Sequence, residues 1–262
     1  MSAMEILGLV AAAMAAGAIN AVAGGGTLLT FPTLLFFGTP PVIANATSTV
    51  ALTAGTAGSV YSYRGLLRAV KSWLWKFVPV SIVGGLLGSV LLTCTSEKTF
   101  SRLVPFLIFF ATVLFLGQGI FRRLAAAEEN AARKAGRRAM LAAIFYQFIV
   151  AVYGGYFGAG IGILMLASLG FIGLENIYEM NALKTVLSSL INFVASIWFI
   201  WAGLIAWPKA LVMIAGALVG YFLGAHYSQR IPARMVRQII TAIGLILSGV
   251  TFYQEFLRSP AN

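Results

Sequence analysis

The sequence predicts an all-α polytopic membrane protein with about eight main transmembrane helices, two short discontinuous or re-entrant segments, and two homologous halves in inverted relation. Three observations carry this reading. Of 262 residues, 60% are hydrophobic and only 10% charged, whereas a soluble domain carries roughly 25% charged residues. Apolar stretches near the length of about 20 residues that crosses a bilayer recur along the chain. A glycine-interrupted segment is written twice: Ala23-Gly24-Gly25-Gly26-Thr27 leads to Asn45, and Phe157-Gly158-Ala159-Gly160-Ile161 leads to Asn181. Such a pair at matching places in two halves points to the binding site of a secondary transporter.

Taken in order, the main helices read at about 4–22, 45–63, 73–93, 103–121, 139–156, 182–203, 208–227 and 236–254. The first follows a start that lacks the basic region of a signal peptide; Ala21-Val22-Ala23 mimics a cleavage site, but the helix is expected to be retained. After the first glycine run comes Leu28 to Gly38, eleven residues. That makes about 16 Å of helix, too short to span alone. Asn45 begins the next helix, and a loop bearing Arg64, Arg68, Lys71 and Lys76 leads to the third. Lys98 and Arg102 precede the fourth. Residues 122–138, with Arg122, Arg123, Arg133, Lys134, Arg137 and Arg138, read as a cytoplasmic, partly helical connector or topology anchor.

The second half repeats the first in two registers. Asn45, Ala46, Thr49 and Val50 match Asn181, Ala182, Thr185 and Val186 at an offset of 136. Trp75, Gly84, Gly88, Arg102 and Gly117 match Trp207, Gly216, Gly220, Arg234 and Gly249 at an offset of 132. The chain therefore reads as one integral membrane domain, 1–262, made of half-repeats 1–121 and 139–262 around the connector. Charge in equivalent loops reverses its bias. Arg64, Arg68, Lys71 and Lys76 are answered only by Lys209, while Lys98 and Arg102 are answered by Arg230, Arg234 and Arg237. That is the pattern of halves with opposite orientation. Inversion needs an odd number of crossings per half, so the short segment would count as one. A re-entrant segment with four crossings per half would leave the halves parallel.

The net charge of +11 belongs to short loops between apolar spans. It reads as a topology signal facing cytoplasm and anionic lipid, not as a nucleic-acid surface. One cysteine, Cys94, excludes an intramolecular disulfide and a cysteine-rich metal site. The chain has no Asp, and its seven Glu residues fall at predicted ends or loops. Neither acidic ligands for a cation at the midplane nor a buried proton relay are visible. The single histidine, His226, sits near a helix end, and no P-loop sequence is present. No catalytic residue, metal site or cofactor is expected.

Polar residues fall on one side of two helices. Asn45, Ser48, Thr49, Thr53, Thr56 and Ser59 form one stripe; Asn181, Lys184, Thr185, Ser188, Ser189, Asn192 and Ser196 form the other. Spacings of three and four put each set on one face, which in a bilayer turns inward. The plainer alternative for any single Ser or Thr is a hydrogen bond between neighbouring helices. Lys184 stands inside a membrane helix, where an ammonium is costly unless paired or hydrated. It implies an anion, or else a snorkelling lysine near Glu175 or Glu179. The glycine runs point to an anion as well. Unwound backbone at a helix start offers N–H groups and a positive dipole end, here from Gly24, Gly25, Gly26 and Thr27, and from Gly158 and Gly160. Gly84, Gly88, Gly216 and Gly220, at spacing four, read as close-packing glycines instead.

At Gly24-Gly25-Gly26-Thr27-Leu28-Leu29-Thr30-Phe31-Pro32, at Gly154 to Gly160 and at Asn181 to Asn192, the chain resembles the TauE/SafE sulfite exporter family over nearly its whole length. The resemblance implies a bacterial inner-membrane, multi-pass protein that exports sulfite, an organosulfonate or a related sulfur oxyanion. One departure is that Leu166 stands in the place of Pro32. The expected function is secondary transport of a small anion by alternating access. Gly24 to Thr27, Gly158 and Gly160 would bind it, Asn45, Ser48, Thr49, Asn181, Thr185, Ser188 and Asn192 would position it, and Lys184 would supply countercharge. The expected partners are the anion and a bilayer with anionic lipids, with room for a homo-oligomer. Rival readings are a membrane-embedded accessory or enzyme component acting on lipid or a partner protein, and a passive anion channel.

Overall fold

The structure, a computed structural model, describes residues 1–22, 25–62, 64–127, 137–170, 177–227 and 233–257. Among them stand ten α-helices: α1 Ala3–Val22, α2 Thr27–Phe36, α3 Pro41–Ser62, α4 Lys71–Cys94, α5 Glu97–Ala127, α6 Arg137–Tyr156, α7 Ile161–Gly170, α8 Ile177–Trp201, α9 Trp207–Tyr227 and α10 Ala233–Phe252. Eight are long and two, α2 and α7, are short, as the apolar runs predict. Helix α3 starts at Pro41 rather than Asn45, because proline is pre-organised for the first helical position and its missing N–H costs nothing there. Asn45 thus sits one turn inside. The connector's first residues continue α5 to Ala127; 128–136 lie outside the described residues.

Among the described residues, Ala3–Ala21, Lys71–Cys94, Tyr178–Trp201 and Trp207–Gly224 are long and apolar enough to cross a membrane by length and composition. Helix α3 is not among these, and much of it is enclosed by protein. Val42, Ala44, Asn45, Ala46, Thr47, Ser48, Ala51 and Leu52 are all buried. A helix wrapped by protein can carry Asn, Ser and Thr that a lipid-facing helix cannot. Exposed side chains on the outer helices, such as Leu86, Leu91, Phe106, Phe109, Phe222 and Ile246, are hydrocarbon. The molecule is a polytopic membrane protein.

The two halves interlock. Helix α1 packs along α9 as α6 packs along α4; α3 meets α9 as α8 meets α4; α2 meets α10 as α7 meets α5; and α3–α8 and α5–α10 pair across the centre. Every one of these contacts recurs when residues 1–121 and 139–262 are exchanged. Glycines permit the closest pairs. A Cβ on Gly84 would stand 2.7 Å from Ala151 Cβ, and one on Gly88 would strike the Val152 carbonyl. A Cβ on Gly216 would stand 2.7 Å from the Val10 carbonyl, one on Gly224 2.6 Å from Ala18 Cα, and one on Gly220 would strike the Met14 carbonyl. These contacts advance in step along both chains, so α1 runs parallel to α9 and α4 parallel to α6.

Helix α2 turns back along α1. Gly26 lies against Ala16 and Asn20, and Phe37, just past α2, packs its ring on Gly8. Lys209 at the start of α9 closes this end. Its Nζ meets Glu5 Oε1 at 2.8 Å and donates to the Phe37 carbonyl at 2.9 Å and to Thr39 Oγ1 at 3.0 Å. Glu97 Oε2 at the start of α5 accepts the Val42 N–H at 2.9 Å. Trp198 Nε1 donates to Thr93 Oγ1 at 3.0 Å, and Ser101 Oγ donates to Glu255 Oε2 at 2.7 Å. One face of the bundle therefore gathers the starts of α1, α3, α5 and α9 with the ends of α2, α4, α8 and α10. The opposite face carries the exposed Arg64, Arg68, Lys71 and Lys76.

Candidate functional site

The turn between α6 and α7 is held by glycine conformations, two hydrogen bonds and a ring contact. Gly158 and Gly160 both have φ of +79°, a left-handed conformation that costs an L side chain about 1–2 kcal/mol. The Gly158 N–H donates to the Tyr153 carbonyl at 3.1 Å, and Tyr153 Oη donates to the Ala159 carbonyl at 2.8 Å. The buried ring of Phe157 packs edge-on against Phe31 of α2 at 5.4 Å. Two side chains of α8 lie over this turn. A Cβ on Gly158 would stand 3.7 Å from Asn192 Oδ1, and one on Gly162 would stand 3.3 Å from Lys184 Cδ, 3.7 Å from its Cγ and 3.8 Å from its Cε. Lys184 and Asn192 are two helical turns apart, hence on one face. The lysine stem crosses the first turn of α7.

The first half-site has a different interior. The Gly26 N–H is taken by Asn20 Oδ1 at 2.7 Å. Thr30 and Ser48, both fully buried, share a hydrogen bond of 2.6 Å between α2 and α3, and Thr30 Oγ1 also reaches the Gly26 carbonyl at 3.3 Å. Ser48 thus pins α2 to α3 where Lys184 crosses α7 in the other half. Thr27 opens α2, half-buried, and Gly25 carries a φ of +93°; Gly24 lies outside the described residues. The N–H groups of Gly26 and Gly158, expected as donors to an anion, are engaged within the protein.

Asn45 does not serve the glycine run that precedes it. Its Nδ2 donates to the Tyr156 carbonyl at 3.0 Å, at the end of α6, so the first half's asparagine holds the second half's turn. Thr49 Oγ1 bonds the Asn45 carbonyl at 2.9 Å, and Ser188 Oγ the Thr185 carbonyl at 3.2 Å. These two hydroxyls satisfy themselves on their own helices. Thr53 and Ser196 join α3 to α8 across the centre at 3.0 Å. Asn181 and Thr185 stand half-buried on α8 near Lys184. The geometry thus brings Lys184, Asn192, Gly158, Gly160 and Asn45 to the second turn, and Gly26, Thr27 and Ser48 to the first. Asn20, Thr30, Tyr153 and Tyr156 complete the two sites unanticipated. Asn20 and Thr30 carried a signal, being polar groups inside apolar runs; the tyrosines carried none.

The start of α7 presents the positive end of its dipole, equivalent to about half an elementary charge, and the ammonium-bearing side chain of Lys184 lies across it. An outward groove between α4 and α6, lined by Leu91, Phe148, Ile149, Val152, Tyr153 and Tyr156, is hydrocarbon and faces the bilayer, so it offers an anion nothing.

Residues 9–251 match the model of the family described as sulfite exporter TauE/SafE. The chain is 27% identical over 239 residues to a "Probable membrane transporter protein" of Haemophilus influenzae, covering 90% of each chain. It is 27% identical over 250 residues to the "Probable membrane transporter protein YfcA" of Escherichia coli K12, covering 93% of this chain and 88% of that one. It is 24% identical over 246 residues to the "Probable membrane transporter protein ORF9" of a Sinorhizobium species, covering 92% and 89%. No solved structure matches significantly. With nearly its whole length matched, this chain belongs to the sulfite exporter TauE/SafE family.

Proposed function

We propose that the protein is a secondary transporter of a small anion, of the class of sulfite, organosulfonates or related sulfur oxyanions, working by alternating access in the bacterial inner membrane. The observation that carries this is Lys184 laid across the first turn of α7 beside Gly158 and Asn192. A lysine ammonium and a helix N-terminus on one inward-turned polar face attract the same kind of ligand. The family and the names of the relatives support transport as the activity. Gly160, Asn45, Asn181, Thr185 and Ser188 extend that half-site, while Gly26, Thr27, Ser48 and Thr49 form its counterpart.

The halves are inverted in this reading. The first enters from the face where α1 begins and the second from the face where α6 begins; the gathering of the starts of α3 and α5 with the ends of α8 and α10 on one face supports it. Each short helix returns toward the face its hairpin entered from, leaving three crossings per half after the hairpin, an odd number. The exposed Arg64, Arg68, Lys71 and Lys76 put their face in the cytoplasm and the start of α1 outside. Sealed vesicles containing purified protein test the function. Saturable uptake of sulfite or a small sulfonate is expected; absence of flux for every anion contradicts it, and flux that never saturates indicates a channel.

A further inference from the structure

We propose that Asn45 selects an anion that carries its own hydrogen-bond donor, such as the protonated form of sulfite or a sulfonate bearing a hydroxyl or amino group, over a fully deprotonated oxyanion. This inference rests on the anion reading above. The Tyr156 carbonyl can only accept, so the Asn45 amide must turn its NH2 toward it, which it does at 3.0 Å. That fixes Oδ1 on the other side of the amide. Asn45 is 1% exposed, and its Oδ1 has no hydrogen-bond partner. The hydroxyls next to it on α3 are committed elsewhere: Thr49 to the Asn45 backbone and Ser48 to Thr30. A buried acceptor without a donor is a standing cost that a ligand can remove only by donating to it.

Of the four buried polar atoms in this state among the described residues, Asn45 Oδ1, Gln147 Oε1, Ser189 Oγ and Thr241 Oγ1, this is the one whose amide is bonded to the α6 end that leads into the glycine turn. Lys184 and the α7 start supply attraction for the negative end of a ligand, and Asn45 supplies an acceptor for its protonated or donor end. A dianion with acceptors alone would set lone pairs against Oδ1. Where the ligand is protonated sulfite, its proton travels with it. The polar stripe of α3 holds Asn, Ser and Thr and no titratable group of its own, and none is needed.

Two nearly isosteric monoanions decide the matter: hydroxymethanesulfonate, which has a hydroxyl donor, and ethanesulfonate, which has a methyl in its place. Calorimetric titration of the purified protein is expected to show the hydroxyl compound binding at least about ten-fold tighter, the scale of one hydrogen bond to a buried unsatisfied group. The Asn45→Leu variant should bring the ratio near one. Equal binding by the unmodified protein overturns the inference and leaves a structural water as the partner of Oδ1. A preference that survives in Asn45→Leu overturns the role of Asn45. Binding of neither compound overturns the anion reading itself, a distinct outcome. If Asn45→Leu fails to fold, Asn45→Ala takes its place in the same comparison.

Discussion

The amide of Asn45 and the carbonyl of Tyr156 are joined at 3.0 Å across the boundary between the two halves. Helix α3 is thereby tied to the turn that starts α7, and any movement of one half against the other must carry or break this bond. Asn45→Ala leaves the carbonyl at the end of α6 without this donor. It should lower stability by about 1–3 kcal/mol, read as a lower melting temperature in detergent, and should abolish saturable flux in vesicles even at temperatures where the variant stays folded.

Glycine packing gives a paired prediction. A side chain at Gly220 meets the backbone of α1 at Met14, whereas a side chain at Gly249 meets nothing within 4 Å. Gly220→Leu should therefore destabilise the protein by about 3 kcal/mol or more, at the upper end of overpacking costs. Gly249→Leu, facing lipid, should leave the melting temperature within error. Thermal melting of the two variants side by side checks this.

Lys209 makes three contacts and Glu5 shares one of them. Lys209→Met removes the donor that covers the Phe37 carbonyl and Thr39 as well as the ion pair, while Glu5→Gln leaves the two hydrogen bonds in place. The expected order of melting temperature is unmodified, then Glu5→Gln, then Lys209→Met. Equal losses would mean that the ion pair alone matters.

The single cysteine reports sidedness. Cys94 is exposed at the end of α4, on the face where α1 begins. A membrane-impermeant maleimide should label it in cells whose inner membrane is intact. A cysteine at Arg68, in a Cys94→Ser background, should react only after that membrane is permeabilised. The reverse pattern would put the basic loop outside and contradict the orientation derived from charge.

Much of this architecture is written locally. The long apolar runs mark the eight long helices, and the offset that pairs Gly84 and Gly88 with Gly216 and Gly220 marks two equivalent helix contacts, α4 with α6 and α9 with α1. Lys184 and Asn192 share a face by spacing alone, and both reach the second turn. What could not be read is which half each residue serves. Asn45 follows the first glycine run in sequence yet bonds the second half, because α3 and α8 cross at the centre and exchange partners. The engagement of the Gly26 N–H by Asn20 was equally hidden, since it depends on α2 folding back along α1.

The most direct test of the central claim is sulfite or sulfonate flux through Lys184→Gln in sealed vesicles. Glutamine keeps a stem against Gly162 and removes the charge, so the fold should persist while half-saturation shifts upward by about ten-fold or more, the equivalent of roughly 1.4 kcal/mol of lost charge attraction. Lys184→Arg, which keeps the charge, should retain saturable transport. Flux through Lys184→Gln equal to that of the unmodified protein would contradict the account, because an anion would then be recognised without the charge of the side chain that crosses the start of α7.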